Sequence, residues 1–194
     1  MNHSSIVNAN GRVISEKPRK DGKVVLTLLV KKEKDAGRNT YARFICDPSI
    51  IPEHRLRAHL KISGHLNRTF THVGDNKLNS QEFIADTIEI DKTLTDKYFG
   101  VHGKFYAAEN IEIALCGSIR NIREDNGWIR LLIDVSNTDE TNSIPISMRK
   151  PDRMPNIDKD KEVAVVATLS SPKKNIGGKD VYFENLIAID IAMV

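Results

Sequence analysis

Apolar and polar residues alternate with a period of two along much of this chain, and that period predicts strands rather than helices. Val24, Leu26, Leu28 and Val30 mark one such stretch, and Ile129, Leu131, Ile133 and Val135 mark another. Each is preceded by a turn signal, Asp21-Gly22 in the first case and Asn126-Gly127 in the second. These dipeptides favour a tight hairpin with positive φ at both centres. The pattern predicts strands over residues 7–15, 23–32, 40–46, 61–66 and 82–90, then over 113–121, 128–135, 143–148, 162–169 and 181–189. Residues 52–60 break the period: an early proline with spaced Ile51, Leu56 and Leu60 predicts one short helix.

The two sets of strands form a repeat. Residues 10–30 match residues 116–135, with Gly11 on Gly117 and the four apolar strand positions in register. Near the end of each set, residues 83–91 match 182–190, with Ile88, Ile90 and Asp91 on Ile187, Ile189 and Asp190. Self-similarity in the same order predicts two copies of one unit. Their expected extents are residues 1–91 and 111–194, with residues 92–110 as a linker. That linker holds Tyr98, Phe99, Phe105 and Tyr106, aromatic enough to be expected to pack.

Composition narrows the function classes. The 194 residues are 40% hydrophobic and 28% charged, which places the chain among globular proteins. No apolar run approaches the roughly 18–20 residues that would span a bilayer, and residues 1–10 lack the order of a secretory signal. A cytoplasmic protein with no membrane partner is the expectation. The net charge of +3 is uneven: residues 1–90 carry +5 and residues 111–194 carry −2. The first half is therefore the better candidate for a polyanion partner. Cys46 and Cys116 are too few for a disulfide framework and too far apart for a zinc knuckle. The six histidines show no metal-binding spacing, so no metal or cofactor is expected. Residues 173–180, rich in Lys and Gly, lack the first glycine and the following Ser/Thr of a phosphate loop. Without a nucleophile–base arrangement in view, the chain reads as a binder and not an enzyme.

Five strands with a helix between the third and fourth is the order of the OB-fold, a small Greek-key barrel. The fold class expected is all-β, two tandem five-stranded OB-fold barrels, with the short helix in the first. Each half resembles the OB-fold of bacterial single-stranded-DNA-binding proteins, and the pair resembles the tandem form of that group. The resemblance is carried by Asn10-Gly11-Arg12-Val13, the basic first hairpin, Leu60-Lys-Ile-Ser-Gly-His-Leu66 and Phe83-Ile-Ala-Asp-Thr-Ile-Glu-Ile90. It implies non-catalytic, largely sequence-independent binding of single-stranded DNA in replication, recombination or transfer, and a possible homodimer that gathers four barrels. The sequence as given ends on Ile189-Asp-Ile-Ala-Met-Val194, without the acidic tail through which that family recruits partners. An RNA-binding OB protein and a protein–protein adaptor are the alternative readings.

An OB-fold binds a single strand across its second and third strands, flanked by the 1–2 and 4–5 loops. In the first copy these places hold Arg12, Lys17, Arg19, Lys20 and Lys23, then Lys31, Lys32, Lys34 and Arg38 in the next loop. Tyr41 and Arg43 alternate away from Ala42, Phe44 and Cys46, so they are expected on the ligand face. In the second copy the same logic assigns Arg120, Arg123, Trp128 and Arg130. Phe70 is expected in a long 4–5 loop over residues 67–80, and Lys173, Lys174 and Lys179 in its counterpart over 170–179. Cations follow the phosphates while aromatics stack on bases, which suits binding without sequence readout.

Overall fold

The computed structural model describes residues 4–32, 39–53, 58–73, 76–91, 110–136, 142–150, 157–176 and 179–194. The chain divides into two compact units. One comprises Val7–His65 and Phe83–Glu112; the other comprises Met1–Ile6, Leu66–Glu82 and Ile113–Val194.

In the first unit, β1 (Ser4–Pro18) pairs with β2 (Val24–Lys32), and β2 with β3 (Asn39–Cys46). β3 runs parallel to β5 (Asn76–Ile90), β5 lies beside β4 (His59–Val73), and β4 returns to β1. The circuit closes a five-stranded barrel, so every strand has a neighbour on both sides. Alternation fills it: Val13, Leu26, Leu28, Phe44, Ile62 and Phe83 are all at most 1% exposed. The rings of Phe44 and Phe83 meet with centroids 5.4 Å apart across the parallel pair. Cys46 belongs to the same interior; burial pushes its thiol up to about 11, so it stays protonated and packs as a small hydrophobe.

In the second unit, β6 (Asn110–Asp125) pairs with β7 (Trp128–Asp134), and β7 with β8 (Ser143–Arg149). β8 runs parallel to β12 (Asn185–Met193), β12 pairs with β9 (Glu162–Ser170), and β9 returns to β6. The pairing order repeats that of β1 to β5, but the interior is aliphatic, with Ile113, Ile119, Ile129, Leu131, Ile133 and Val163 at its centre. Two short strands, β10 (Lys173–Ile176) and β11 (Lys179–Tyr182), stand between β9 and β12 as a separate hairpin.

The repeat has a structural cause. β1 shifts register between Val13 and Ser15, and β6 shifts at the matching place, between Ile119 and Asn121. Ahead of each bulge the strand presses a glycine onto the backbone of its neighbour. A Cβ on Gly11 would sit 2.5 Å from the Leu29 carbonyl oxygen, and one on Gly117 would overlap the Asp134 carbonyl. The bulge bends the strand enough to pair with two diverging neighbours at once.

Three expectations are corrected. The expected short helix over residues 52–60 does not extend over residues 58–60, where His59 and Leu60 already belong to β4. The Ala58 carbonyl accepts from Val13 N–H at 3.0 Å, and the His59 carbonyl accepts from Asp91 N–H at 2.9 Å. These groups serve the barrel and cannot serve a helix; residues 54–57 lie outside the described set. The helical element between β3 and β4 among the described residues is a 3-10 turn, Pro48–Ile50. Asp47 caps it, accepting from Ser49 Oγ at 2.6 Å and Ser49 N–H at 2.9 Å, and these bonds hold its carboxyl below the ordinary value. Residues 67–73 and 76–80 are not a loop either but the outer half of the β4–β5 hairpin, and residues 173–182 contain the β10–β11 hairpin. The Asp21-Gly22 turn lacks the double positive φ that Asn126 (49°) and Gly127 (76°) adopt: there only Gly22 is left-handed, at 82°. Arg19 N–H and the Lys23 carbonyl bond at 2.7 Å across a wider turn. The aromatic linker lies outside the described residues up to Asn110.

Two expected outcomes follow from this packing. Gly117→Ala should destabilise the protein by about 1–3 kcal/mol, because backbone and not a flexible side chain must yield to the new methyl group. A lowered urea midpoint with an unchanged m-value checks it. His59 is 1% exposed, and burial, reinforced by the Arg12 charge and opposed by Asp91, pulls its pKa below 6.5. Below about pH 6.5 the unfolded chain therefore binds a proton that the folded chain resists, and stability falls as pH drops. His59→Gln should flatten that decline when urea unfolding is compared at pH 7.5 and 5.5; an equally steep decline would reject the assignment.

Candidate nucleic-acid interface

The outer face of β6, β7 and β8 is organised by the two-residue turn at Asn126 and Gly127. Because the turn is tight, Asp125 and Trp128 lie directly opposite each other, and every later pair is set by that register. Ile129, Leu131 and Ile133 point into the barrel, so Trp128, Arg130 and Leu132 point out of it. β8 continues the rows: Trp128 faces Arg149, Arg130 faces Ser147 and Leu132 faces Pro145. On the other side Arg123 faces Arg130 and Asn121 faces Leu132.

Trp128 is 38% exposed, a large aromatic face left in water on a strand whose alternate residues are buried. Around it stand Arg149 on the cross-strand partner and Arg130 two residues along. Arg123 and Arg130 oppose each other directly, and like charges placed so repel unless an anion relieves them. Asp125 supplies part of that relief, with its carboxylate 3.6 Å from the Arg130 guanidinium. At the turn end, Lys150 Nζ donates to Glu124 at 2.6 Å and Lys150 N–H donates to the Gly127 carbonyl at 2.9 Å, which fixes the end of β8 against the turn. Arg120, at the bulge, is half exposed, with Nε 3.6 Å from Asp134. The surface thus sets an exposed indole among arginines, two of which, Arg120 and Arg130, lie 3.6 Å from a carboxylate.

Arg149 belongs to this face and is not among the residues expected from the sequence. The expected strand stopped at residue 148, and only the register with β7 puts position 149 beside the tryptophan. Its signal in the sequence is the alternation Pro145, Ser147, Arg149, which extends the outward face by one more step.

In the first unit, Arg43 is exposed and Tyr41 half-buried, its hydroxyl accepting from Asn39 Nδ2 at 3.1 Å. Their row partners on β2 are Thr27 and Leu29, and on β1 Ser15 and Arg12. Leu29 and Ile45 share that face and are buried, at 1% and 6%, so it is less open than the face around Trp128. At the turn, Lys17, Lys20 and Lys23 are exposed, whereas Arg19 is engaged with Asp21 at 3.1 Å. Lys31 and Lys32 lie on β2 opposite Thr40 and Asn39; Lys34 and Arg38 lie outside the described residues. Lys173 and Lys174 pair with Tyr182 and Val181 on the β10–β11 hairpin, and Lys179 with Ile176. Phe70 is 39% exposed on β4, with the Arg68 guanidinium 4.7 Å from its ring centre. The predicted residues therefore form separate groups, and Trp128, Arg123 and Arg130 are the ones drawn into a single patch. Among the described residues no group of three His, Cys, Asp or Glu could hold a metal ion, and no helix is long and apolar enough to cross a membrane.

No family model and no curated protein matches the sequence. Solved structures do match. A deletion mutant of the single-stranded DNA binding protein from Thermus aquaticus superposes with a TM-score of 0.60 at 13% identity, covering 100% of this chain and 96% of that one. The wild-type form of the same protein gives 0.57 at 13% identity, covering 98% and 92%. At this identity the likeness is one of fold, and the fold is the all-β, OB-type architecture that those structures share with this chain.

Proposed function

We propose that this protein binds single-stranded DNA without catalysis and largely without regard to sequence, through two tandem OB-folds, in replication, recombination or transfer of DNA. The observation that carries the reading is the outer face of β6 to β8: Trp128 is exposed beside Arg149 and Arg130, with Arg123 facing Arg130. A flexible strand presents bases and phosphates at irregular positions, and an aromatic platform among exposed arginines accommodates both. The matching pairing order of β1 to β5 and the fold of the Thermus aquaticus structures support the same reading. The exposed Lys17, Lys20 and Lys23 supply a second run of cations on the first unit.

Fluorescence titration with oligo-dT tests it. Binding should quench the emission of Trp128, the single tryptophan, and Trp128→Ala should weaken binding by about 1–3 kcal/mol. Because that side chain lies outside the core, the variant should melt close to the wild type. Changing Arg123, Arg130 and Arg149 to Gln should lower the log–log salt slope by about 0.7 for each lost phosphate contact. Full-strength binding by a folded Trp128→Ala protein, with an unchanged salt slope in the arginine variants, would remove this face from the function.

A further inference from the structure

Along β7 from Trp128, the outer face runs through Arg130 and Leu132 into an open cleft of about 540 Å³ in the second unit. Leu132 lines the cleft together with Arg68, Arg120, Lys159, Asn121, Ser143 and Asp160. Three cations and two neutral hydrogen-bonding side chains against one carboxylate make a lining for an anion, and Asp134 beyond it is 3.6 Å from Arg120. Four residue steps lead from Trp128 to Leu132, about 13 Å along the strand, so one extended ligand reaches both.

Arg68 is the unexpected member. It comes from β4, yet here it lies in the unit built by β6 to β12. Its backbone N–H donates to Asn142 Oδ1 at 2.6 Å, while Asn142 Nδ2 donates to the Leu66 carbonyl at 2.9 Å. Farther along the hairpin, Gln81 Nε2 donates to the Glu184 carbonyl at 2.7 Å. The hairpin is thus pinned to this unit by polar bonds that place Arg68 at the cleft, with its guanidinium over Phe70. Lys159 is placed by a turn: Asp160 is left-handed, with φ 65°, and its N–H donates to the Ile119 carbonyl at 2.7 Å.

We propose that this cleft is a second phosphate seat for the strand that stacks on Trp128, completed by Arg68 from the β4–β5 hairpin. The inference rests on the single-stranded-DNA reading and extends it to residues outside the three-strand face. Arg68→Gln and Lys159→Gln, singly and together, test it. Neither change touches the backbone bonds that hold the hairpin and the turn, and Lys159 is exposed. The double variant should bind oligo-dT several-fold more weakly at low salt, with a log–log slope reduced by about 1.4, from about 0.7 per contact. Quenching of Trp128 at saturation should be unchanged, and the exposed neighbour Lys161→Gln should behave as the wild type. An unchanged slope in a folded double variant, while the wild type still binds, overturns the seat and leaves the first reading standing. A wild type that binds no oligo-dT overturns the reading itself. Inorganic phosphate provides a second arm. If it stabilises the wild type against heat but not the double variant, and the oligo-dT slope is unchanged, the cleft takes a free anion and the proposal fails.

Discussion

A strand that must hydrogen-bond to two diverging neighbours has to bend, and the rest of this structure depends on how β1 and β6 do so. In each, a glycine lets the strand press onto the carbonyl of its neighbour, and a bulge two residues later turns the chain toward the next partner. Without the first the strands cannot approach, and without the second the circuit of pairings cannot close. The equivalence is close: Gly11 meets Leu29 in one copy and Gly117 meets Asp134 in the other, on strands that align in sequence. Closure removes the open sheet edges within each circuit and leaves side-chain faces as the surfaces available for recognition.

Register decides where charge collects. The tight turn at Asn126 and Gly127 at the far end of β6 sets which residues of β6 and β7 oppose each other up to the bulge, and that register sets Arg123 against Arg130. Two guanidinium groups in one row cost stability in water, and Asp125, 3.6 Å from Arg130, offsets part of it. Trp128, held outward in the neighbouring row, leaves an aromatic face in water beside these charges.

The two units divide these features unevenly. The first packs Phe44 against Phe83 and carries exposed lysines at its turn, but part of its outer face is closed by Leu29 and Ile45. The second has an aliphatic interior and exposes its aromatic. Its acidic net charge in sequence concealed a basic face, because carboxylates and arginines are sorted by register and not by their count. The outer half of the β4–β5 hairpin adds Arg68 and Phe70 to this unit through bonds to Asn142 and Glu184.

Much of this was legible in the residues alone, and for local reasons. Alternation separates Ile129 and Leu131 from Trp128 and Arg130 because a strand turns each side chain to the opposite face, whatever it pairs with. Asn126-Gly127 announces its turn because few residues tolerate positive φ. The repeat shows because both copies need the same glycine at the same crossing. Other features had no local signal. Residues 67–73 and 76–80 carry the composition of a loop yet are strand, extending β4 and β5 beyond the expected bounds, with the Arg68 N–H bonded to the distant Asn142. Residues 58–60 lost the expected helix to hydrogen bonds with Val13 and Asp91. Arg149 joins Trp128, and Arg68 joins Arg120 and Lys159, through contacts between residues distant in sequence. The sequence by itself determined which face of each strand meets water; only the tertiary structure decided which residues share that face, because cross-strand neighbours are chosen by register and closure and not by the order of the chain.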